Sequence, residues 1–308
     1  MATLLVQDPV FLQHHVPQGH PERPERLGAI DAALAAPAFG GLRRSHAPSA
    51  DLDRVMLAHE GGYVEELEKV LPESGVVQIE ADSYLSPESF AVALHAVGGA
   101  CMAVDEVMGG KAGNAFVEAR PPGHHAEADR PMGFCLFNNA AIAARHAQQR
   151  HGATRVAIID WDVHHGNGTQ AILWSDPTVL YASTHQMPLY PGTGAATETG
   201  AGNIFNAPLS AGDEGDEFRE AMLGRIFPAV EKFAPDLIII SAGFDAHWRD
   251  PLAAINLKEE DFAWATEAIM DIADRHCGGR IVSLLEGGYD LTGLATSVAA
   301  HVAGLMKA

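Results

Sequence analysis

The chain has 308 residues, of which 47% are hydrophobic and 19% charged, so it can form a sizeable globular core. Its formal net charge of −20 argues against general binding to nucleic-acid phosphates. No stretch approaches the roughly 18 uninterrupted apolar residues of a membrane span, and no secretory signal precedes the first loop. Three scattered cysteines are too few for a disulfide framework, which favours the reducing cytoplasm.

The amino-terminal third is predicted to be mostly helical after a short strand-like start. The segment HPERPERL contains two prolines and leads into a helix over residues 26–35. Ser49 is expected to cap the next helix, and a further helix covers residues 62–70. Ser86-Pro87-Glu88 has the composition of a helix start, and this helix should extend over residues 86–107.

From residue 114 onward, apolar runs alternate with helical patterns. The predicted strands cover residues 115–117, 156–159, 179–182, 237–240 and 281–285. The predicted helices cover residues 139–149, 218–233, 259–276 and 291–306. Such alternation is typical of an α/β fold with a mostly parallel central sheet flanked by helices. Without a linker or repeat, we expect a single domain over residues 1–308.

The segment RVAIIDWDVHHGNGTQ carries the strongest chemical signal. A buried strand is followed by Asp160, Asp162 and His164, which share one side if the chain stays extended. Two carboxylates and an imidazole suit a divalent transition metal, with zinc as the first choice, although iron(II) or cobalt is also compatible. One such segment does not complete a structural zinc site, so an open catalytic site is favoured. The alternative is an Asp- and His-rich turn that caps the next helix.

Ligands of open parallel sheets bind at the carboxyl ends of the strands, and four predicted strands end there in polar, glycine-containing loops. Besides the loop above, these are the segments RPPGHH, SAGFDAH and EGGY. Asp245 is the natural third ligand beside Asp162 and His164. Three protein ligands leave room for water and a substrate oxygen, as catalytic metal sites do.

Acid–base groups are also predicted at this edge. His124 and His125 offer a general base and a general acid, and Asp160 and Asn167 are available to orient them. Tyr289, on a glycine-flanked loop, could donate its hydroxyl to a developing oxyanion. Taken singly, each of these histidines and the tyrosine could be an ordinary structural residue. Together they indicate hydrolysis of an amide or ester.

The motifs RPPGHHA, GFCLFNNAAIAA, DWDVHHGNGTQ, SAGFDAH with DPL, and LEGGY occur in this order. In this order they resemble the zinc-dependent histone deacetylase family, specifically its class II-like and bacterial amidohydrolase branch. The resemblance is strongest over residues 120–289, and HPERPERL extends it towards the amino terminus.

The resemblance implies an arginase-like α/β fold and an amide hydrolase. In it, His124 is backed by Asp160 and His125 by Asn167. His125 is the main proton shuttle, and Tyr289 polarises the acyl carbonyl. The implied zinc ligands are Asp162, His164 and Asp245.

Further positions follow from the same resemblance. A potassium ion beside the zinc loop would involve Asp160 and Ser183, together with the backbones of Asp162 and His164. A narrow tunnel for the acyl-lysine chain would be lined by Gly133, Phe134 and Tyr190. Arg26 would sit near an internal channel for acetate.

Two positions bear on the substrate. Asn167 matches class II-like members of the family, where class I enzymes have an aspartate. Leu252, after Asp250-Pro251, stands where polyamine-selective relatives have a glutamate, and an insertion of bacterial acetylpolyamine amidohydrolases is absent. We therefore expect acyl-lysine or a similar small acylated amine as the partner, and no nucleic acid or membrane. The alternatives are an acetylpolyamine amidohydrolase and a catalytically silent module that binds acyl-lysine. The oligomeric state is left open.

Overall fold

The computed structural model describes residues 1–307, and within them every apolar run predicted as a strand is part of one sheet. The described residues form ten strands: β1 (Leu4–Val6), β2 (Arg43–Ser45), β3 (Val77–Gln78), β4 (Tyr84–Leu85), β5 (Asn114–Val117), β6 (Val156–Asp160), β7 (Val179–Gln186), β8 (Ile204–Leu209), β9 (Leu237–Ala242) and β10 (Ile281–Leu285).

Eight of these strands form the central sheet, in the order β2-β1-β5-β10-β9-β6-β7-β8, and every neighbouring pair is parallel. The inner strands β5, β6, β9 and β10 are buried at every position, which explains their unbroken apolar sequences. Each fully buried Ile, Leu or Val side chain contributes about 1.5–3 kcal/mol. The expected single α/β domain with a parallel sheet is confirmed.

The helices are α1 (Glu25–Leu34), α2 (Leu52–Val55), α3 (Gly61–Lys69), α4 (Ser89–Met108), α5 (Asn139–His151), α6 (Asn167–Leu173), α7 (Gly215–Ala221), α8 (Phe227–Phe233), α9 (Glu259–Cys277) and α10 (Leu291–Leu305). Helix α10 packs between α1 and α9, and α4 packs along α5. A second apolar cluster fills the space between α3, α4 and α5 and includes Val64, Val97 and Ile142. The helices thus flank the sheet, as expected.

Helix α4 is the one helix within residues 1–307 whose length and composition would allow it to cross a membrane. However, 67% of its most apolar window is buried inside the fold. It packs against α5 and against β5 and β10 of the sheet. Its apolar sequence is therefore accounted for by its position in the core.

Several local predictions are wrong for identifiable reasons. Asp51, not Ser49, caps α2, because its carboxylate accepts a hydrogen bond from Arg54 N at 3.0 Å. The helix expected from Ser86 begins at Ser89, whose hydroxyl accepts a hydrogen bond from Ser86 N at 2.7 Å. The predicted helix over residues 218–233 is two helices, α7 and α8, joined by a π-helical turn at Met222–Ile226.

Four strands were not predicted. Strand β2 is a partly exposed edge strand of sequence RRS, and β8, at the other edge, contains Pro208, which an edge strand tolerates. Strands β3 and β4 are two residues each and form a separate antiparallel pair. Short or edge strands carry little apolar periodicity, so the sequence pattern does not reveal them.

Candidate active site

The polar loops predicted to meet at one edge do so because their strands are neighbours. Strands β5, β10, β9 and β6 lie side by side in the sheet, and all are parallel. Their carboxyl ends therefore bring together the loops that begin with Glu118, Glu286, Gly243 and Trp161. The candidate site is built from these four loops.

The first group in the site is a trio of side chains, Asp162, His164 and Asp245, all buried. His164 Nδ1 lies 3.2 Å from Asp162 Oδ1 and 3.0 Å from Asp245 Oδ2. One candidate ligand atom from each residue lies within 4.8 Å of the others. Backbone N–H groups hold the carboxylates: Val163 N donates to Asp245 at 2.8 Å, and Gly287 N donates to Asp162 at 2.8 Å.

The trio has the properties of a cation site. Burial lowers the pKa of His164, but hydrogen bonds and charges from Asp162 and Asp245 outweigh this effect and raise it to about 10. Burial and the charge of Asp162 raise the pKa of Asp245. Two buried carboxylates thus require a positive charge between them, which the imidazolium proton supplies when no metal does. A Cβ at Gly287 would overlap both carboxylates, so glycine keeps this space open. The oxygen and nitrogen donors fit a divalent metal ion.

Asp160 is not part of this trio, and the expectation that it shares one side with Asp162 and His164 is wrong. The chain leaves the extended conformation where β6 ends at Asp160. Asp160 Oδ1 accepts a hydrogen bond from Asp162 N at 3.1 Å. Its Oδ2 accepts one from the Tyr181 hydroxyl at 3.0 Å and lies 3.0 Å from His124 Nδ1. Asp160 therefore supports a histidine.

The adjacent histidines form the second group, with ring centroids 4.0 Å apart. His125 Nδ1 donates to Asn167 Oδ1 at 2.8 Å, because the amide oxygen is only an acceptor. Burial opposes charge on His124, but the charges of Asp162 and Asp160 raise its pKa well above the ordinary value. Burial and the charges of His124 and His164 lower the pKa of His125 well below it. These shifts favour a charged His124 beside a neutral His125.

A cavity of about 260 Å³ leads to these groups. Tyr190 lies at its side, with its ring centroid 5.2 Å from that of His125. Gly133 has a φ of 54°, and a Cβ there would overlap the His125 ring, so only glycine allows this approach. The cavity is lined by Pro21, Asp82, His125, Gly133, Phe134, His164, Leu189, Tyr190, Leu252 and Tyr289.

Tyr289 is a buried residue that lines the same cavity. Its backbone N donates to Asp250 Oδ2 at 2.7 Å, and its ring packs edge-on to Phe134 with centroids 5.8 Å apart. Burial and the charge of Asp245 raise the pKa of Tyr289 well above its ordinary value. Its phenol therefore stays protonated and can act as a hydrogen-bond donor.

Two predicted residues, Arg26 and Ser183, belong neither to the cavity lining nor to the trio or the histidine pair with its partners. Arg26 is fully buried beside Tyr289, with its guanidinium 5.1 Å from the ring centroid, and donates to Gly288 O at 2.7 Å. Ser183 lies opposite Asp160 in the register of β6 and β7, and its hydroxyl is 2.8 Å from His185 Nδ1. The predicted acetate channel and potassium site stay predictions.

Two side chains that hold this site, Glu286 and Tyr181, have no role predicted from the sequence. Glu286 accepts hydrogen bonds from Gly123 N at 2.7 Å and His124 N at 3.2 Å. Tyr181 orients Asp160 and accepts a hydrogen bond from Gly166 N at 3.0 Å. The position of Glu286 directly after an apolar strand is a usable signal, because the same position draws attention to Asp160. Tyr181 lies inside an apolar strand and gives no such signal.

Known proteins are similar to this chain in both sequence and fold. The model of the histone deacetylase domain family matches residues 20–305. The histone deacetylase-like amidohydrolase of Pseudomonas aeruginosa is 39% identical over 285 residues, covering 91% of this chain and 75% of that protein. A protein described as a probable deacetylase from Methanothermobacter thermautotrophicus is 41% identical, covering 98% of this chain and 90% of that one. The crystal structure of the HDA15 HD domain matches with a TM-score of 0.92 and 35% identity, covering 100% and 89% of the two chains.

Proposed function

Because the chain belongs to the histone deacetylase family, we propose that it is a zinc-dependent deacetylase acting on acyl-lysine side chains or similar acylated amines. Membership supports hydrolase activity in general, and the zinc, the mechanism and the substrate are our proposal. The observation that carries it is the convergence of the trio, the histidine pair and Tyr289 on one cavity.

Asp162, His164 and Asp245 would hold the metal ion. When bound, zinc supplies Lewis-acid chemistry, which polarises a carbonyl and lowers the pKa of water. Hydrogen bonds from Val163 N and Gly287 N fix the two carboxylates in place. The protein therefore needs little rearrangement to bind the ion.

His125 would act as the general base. Its Nδ1–H is committed to Asn167, so its neutral Nε2 is free to take a proton from the attacking water. Asn167 Nδ2 in turn donates to Glu127 at 2.8 Å, which fixes the orientation of the amide. His125 would later return the proton to the leaving amine.

His124 would stabilise charge rather than move the main proton. Asp160 lies 3.0 Å from its Nδ1 and keeps the ring cationic, as the direction of its pKa indicates. A cationic neighbour keeps His125 neutral and able to accept a proton. The Tyr289 hydroxyl would donate to the carbonyl oxygen of the acyl group as negative charge develops there.

The cavity supports acyl-lysine as the substrate class. Gly133, Phe134, Tyr190 and Leu252 would surround the apolar side chain of the acylated lysine. Asp82, which also lines the cavity, is the one observation that favours an acetylpolyamine instead, because a carboxylate would attract its free ammonium group. Leu252, which stands where polyamine-selective relatives have a glutamate, adds no second acid to the cavity lining. A silent binding module is disfavoured because neither the trio nor the tyrosine is missing.

The remaining elements of the proposal are a potassium ion near Asp160 and Ser183, an acetate channel at Arg26, and a cytoplasmic location. The potassium ion is supported by the pairing of Asp160 with Ser183 across the neighbouring strands β6 and β7. The acetate channel is supported by the burial of Arg26 beside Tyr289. Three free, buried cysteines support the cytoplasmic location.

The decisive experiment compares kcat/KM for an acetyl-lysine peptide, a trifluoroacetyl-lysine peptide and N-acetylputrescine, using zinc-loaded protein. We expect the lysine substrates to be preferred. In the Tyr289→Phe variant, kcat should fall by about 10²–10³-fold, the typical effect of losing one oxyanion donor. A preference for N-acetylputrescine would support the polyamine alternative. Turnover that survives complete chelation of zinc would refute the proposed mechanism.

A further inference from the structure

A second cluster of metal-ligating side chains lies away from the active site. Asp105 is on α4, and His146 and His151 are on α5. His146 Nε2 lies 2.8 Å from Asp105 Oδ1, and His151 Nε2 lies 2.7 Å from the same oxygen. Within residues 1–307 this trio and that of Asp162, His164 and Asp245 are the two groups whose ligand atoms converge within 4.8 Å.

The position of this cluster separates it from the proposed catalytic machinery. His151 is the last residue of α5, which ends at Gly152 with a φ of 68°. The chain then enters β6 at Val156, at the amino end of the strand. The active-site loops follow the carboxyl ends of the strands. The two clusters therefore lie at opposite ends of the strands.

The charges around Asp105 favour a cation. Asp105 is in the last turn of α4 and His151 in that of α5, so the negative ends of two helix dipoles meet there. Burial raises the pKa of Asp105, but hydrogen bonds from His151 and His146 outweigh it and lower the pKa below its ordinary value. The adjoining cavity is lined by three carboxylates, those of Asp51, Asp53 and Asp105, and by two arginines, of which Arg54 is paired with Asp51 at 2.9 Å and Arg150 has no ion-pair partner within residues 1–307.

Hydrogen bonding leaves one oxygen of the partly exposed Asp105 carboxylate free for a further ligand. Both imidazoles must donate to the same atom, Asp105 Oδ1, while Oδ2 has no hydrogen-bond partner among residues 1–307. Two nitrogen ligands and one carboxylate that face a common point are the donor set of a three-residue zinc site. Calcium and magnesium prefer oxygen ligands, so imidazoles favour a transition metal.

We propose that Asp105, His146 and His151 bind a divalent transition metal ion, with zinc as the probe, at a second site that links α4 to α5. Tetrahedral zinc with bonds of about 2.0–2.1 Å spaces its ligand atoms about 3.3 Å apart. The present N···O distances of 2.7 and 2.8 Å need to open by only about half an ångström. His151 and Asp105 are partly exposed and can make this movement.

Water can complete the coordination. The cluster borders a surface cavity of about 590 Å³, which Asp105 and His146 line together with Asp51, Asp53, Arg54, Gln149 and Arg150. Because the cavity opens to solvent, the ion can enter without unfolding of either helix. The bound ion would connect two helices whose mutual packing is among the most extensive in the fold. It should therefore raise the melting temperature without taking part in the reaction.

The test is zinc stoichiometry, measured on the full chain by equilibrium dialysis at buffered micromolar free zinc followed by elemental analysis. The wild type should bind two zinc ions. The variants His151→Gln and Asp105→Asn should each bind one, and Asp245→Asn should also bind one. The double variant Asp245→Asn/His151→Gln should bind none. His46→Gln is the matched control, because His46 is exposed and faces a single carboxylate, Asp8, at 3.3 Å; it should bind two.

Circular dichroism of each variant would establish that it is folded. The proposal is overturned if His151→Gln and Asp105→Asn both bind as many zinc ions as the wild type. Cobalt(II) provides a second readout, because its visible absorption reports ligand geometry at each site. The d–d bands that persist in Asp245→Asn should disappear in the double variant. Failure of the catalytic proposal would instead appear as two zinc ions bound by Asp245→Asn.

Discussion

The two His/Asp clusters contain the same kinds of ligand but are held in different ways. At the active site, backbone N–H groups of Val163 and Gly287 hold Asp245 and Asp162 in position. At the junction of α4 and α5, the two histidines are the only hydrogen-bond partners of the Asp105 carboxylate within residues 1–307. The active-site trio is buried, whereas Asp105 is partly exposed. The two clusters therefore have the same kinds of ligand, but only the ligands at the strand ends are held in place by the backbone.

This difference has a functional consequence. Ligands that the backbone fixes keep their geometry while a substrate exchanges at the metal, which catalysis requires. Ligands that hold only one another must separate to admit an ion and can close again when it leaves. The strand-end cluster is suited to chemistry, and the helix-end cluster is suited to binding alone.

The largest effect should come from Asp245→Asn. The amide oxygen can still accept the hydrogen bond from Val163 N, so the local fold is preserved while the charge is lost. We expect kcat/KM to fall at least about a thousandfold, because even the loss of an outer partner of a metal ligand costs about 10–100-fold. Steady-state kinetics with an acetyl-lysine peptide at saturating zinc would measure it.

Stability provides the control for this variant. In the His151→Gln background, which removes the proposed second site, zinc should raise the melting temperature of the protein with Asp245 intact. The same addition should leave the Asp245→Asn/His151→Gln protein unchanged. Near-normal turnover by Asp245→Asn would mean that Asp245 is not a metal ligand.

The convergence of Asp162, His164 and Asp245 could be largely predicted from the sequence, and the reason is physical. Buried parallel strands have unbroken apolar sequences, and the residues that follow them lie at one edge of the sheet. Asp162, His164 and Asp245 follow two such strands, β6 and β9, which are neighbours. The order of the strands could not be predicted, because nothing in the apolar pattern of one strand specifies its partner.

The supporting residues and the second cluster could not be predicted in this way. Tyr181 lies within a strand that is buried at every position, where a tyrosine is consistent with the core. His146 and His151 are five residues apart, a spacing that puts them on different faces of a helix. Their rings converge only because Asp105 approaches from α4, and this contact depends on how the two helices pack.

Gly287→Ala should perturb the trio without removing any ligand. The new Cβ would overlap the Asp245 and Asp162 carboxylates and force them apart. We expect zinc affinity and kcat/KM to fall by about 10–100-fold, as for other changes that misorient metal ligands. Gly28→Ala, in α1, is the matched control, because its Cβ meets no atom within 4 Å. An unaltered zinc affinity in Gly287→Ala would show that the space between the carboxylates is not used.

Asn167→Asp should change the pH dependence. Burial and the charge of His124 keep the pKa of His125 low, and the neutral ring is the proposed base. A carboxylate facing Nδ1 would favour the charged ring and raise the pKa of His125. On acidification the ring would therefore become protonated, and activity would be lost, at a higher pH than in the wild type. The acidic limb of kcat/KM should move up by at least about one pH unit. Asn256→Asp, in a surface loop, should leave the profile unchanged; an unmoved limb in Asn167→Asp would argue against His125 as the base.

The smallest effect should come from His151→Gln, compared with the wild type while the proposed second site holds no zinc. His151 lies beyond the amino end of β6, whereas the proposed catalytic groups follow its carboxyl end. Its hydrogen bond to Asp105 is half-exposed, and pairs of this kind contribute about 0–1 kcal/mol to the free energy of unfolding. We therefore expect kcat/KM within about twofold of the wild type and a change in unfolding free energy below about 1 kcal/mol, measured by urea denaturation. A large loss of activity would mean that the two clusters communicate through α5 and β6, and the separation of chemistry from binding would then be wrong.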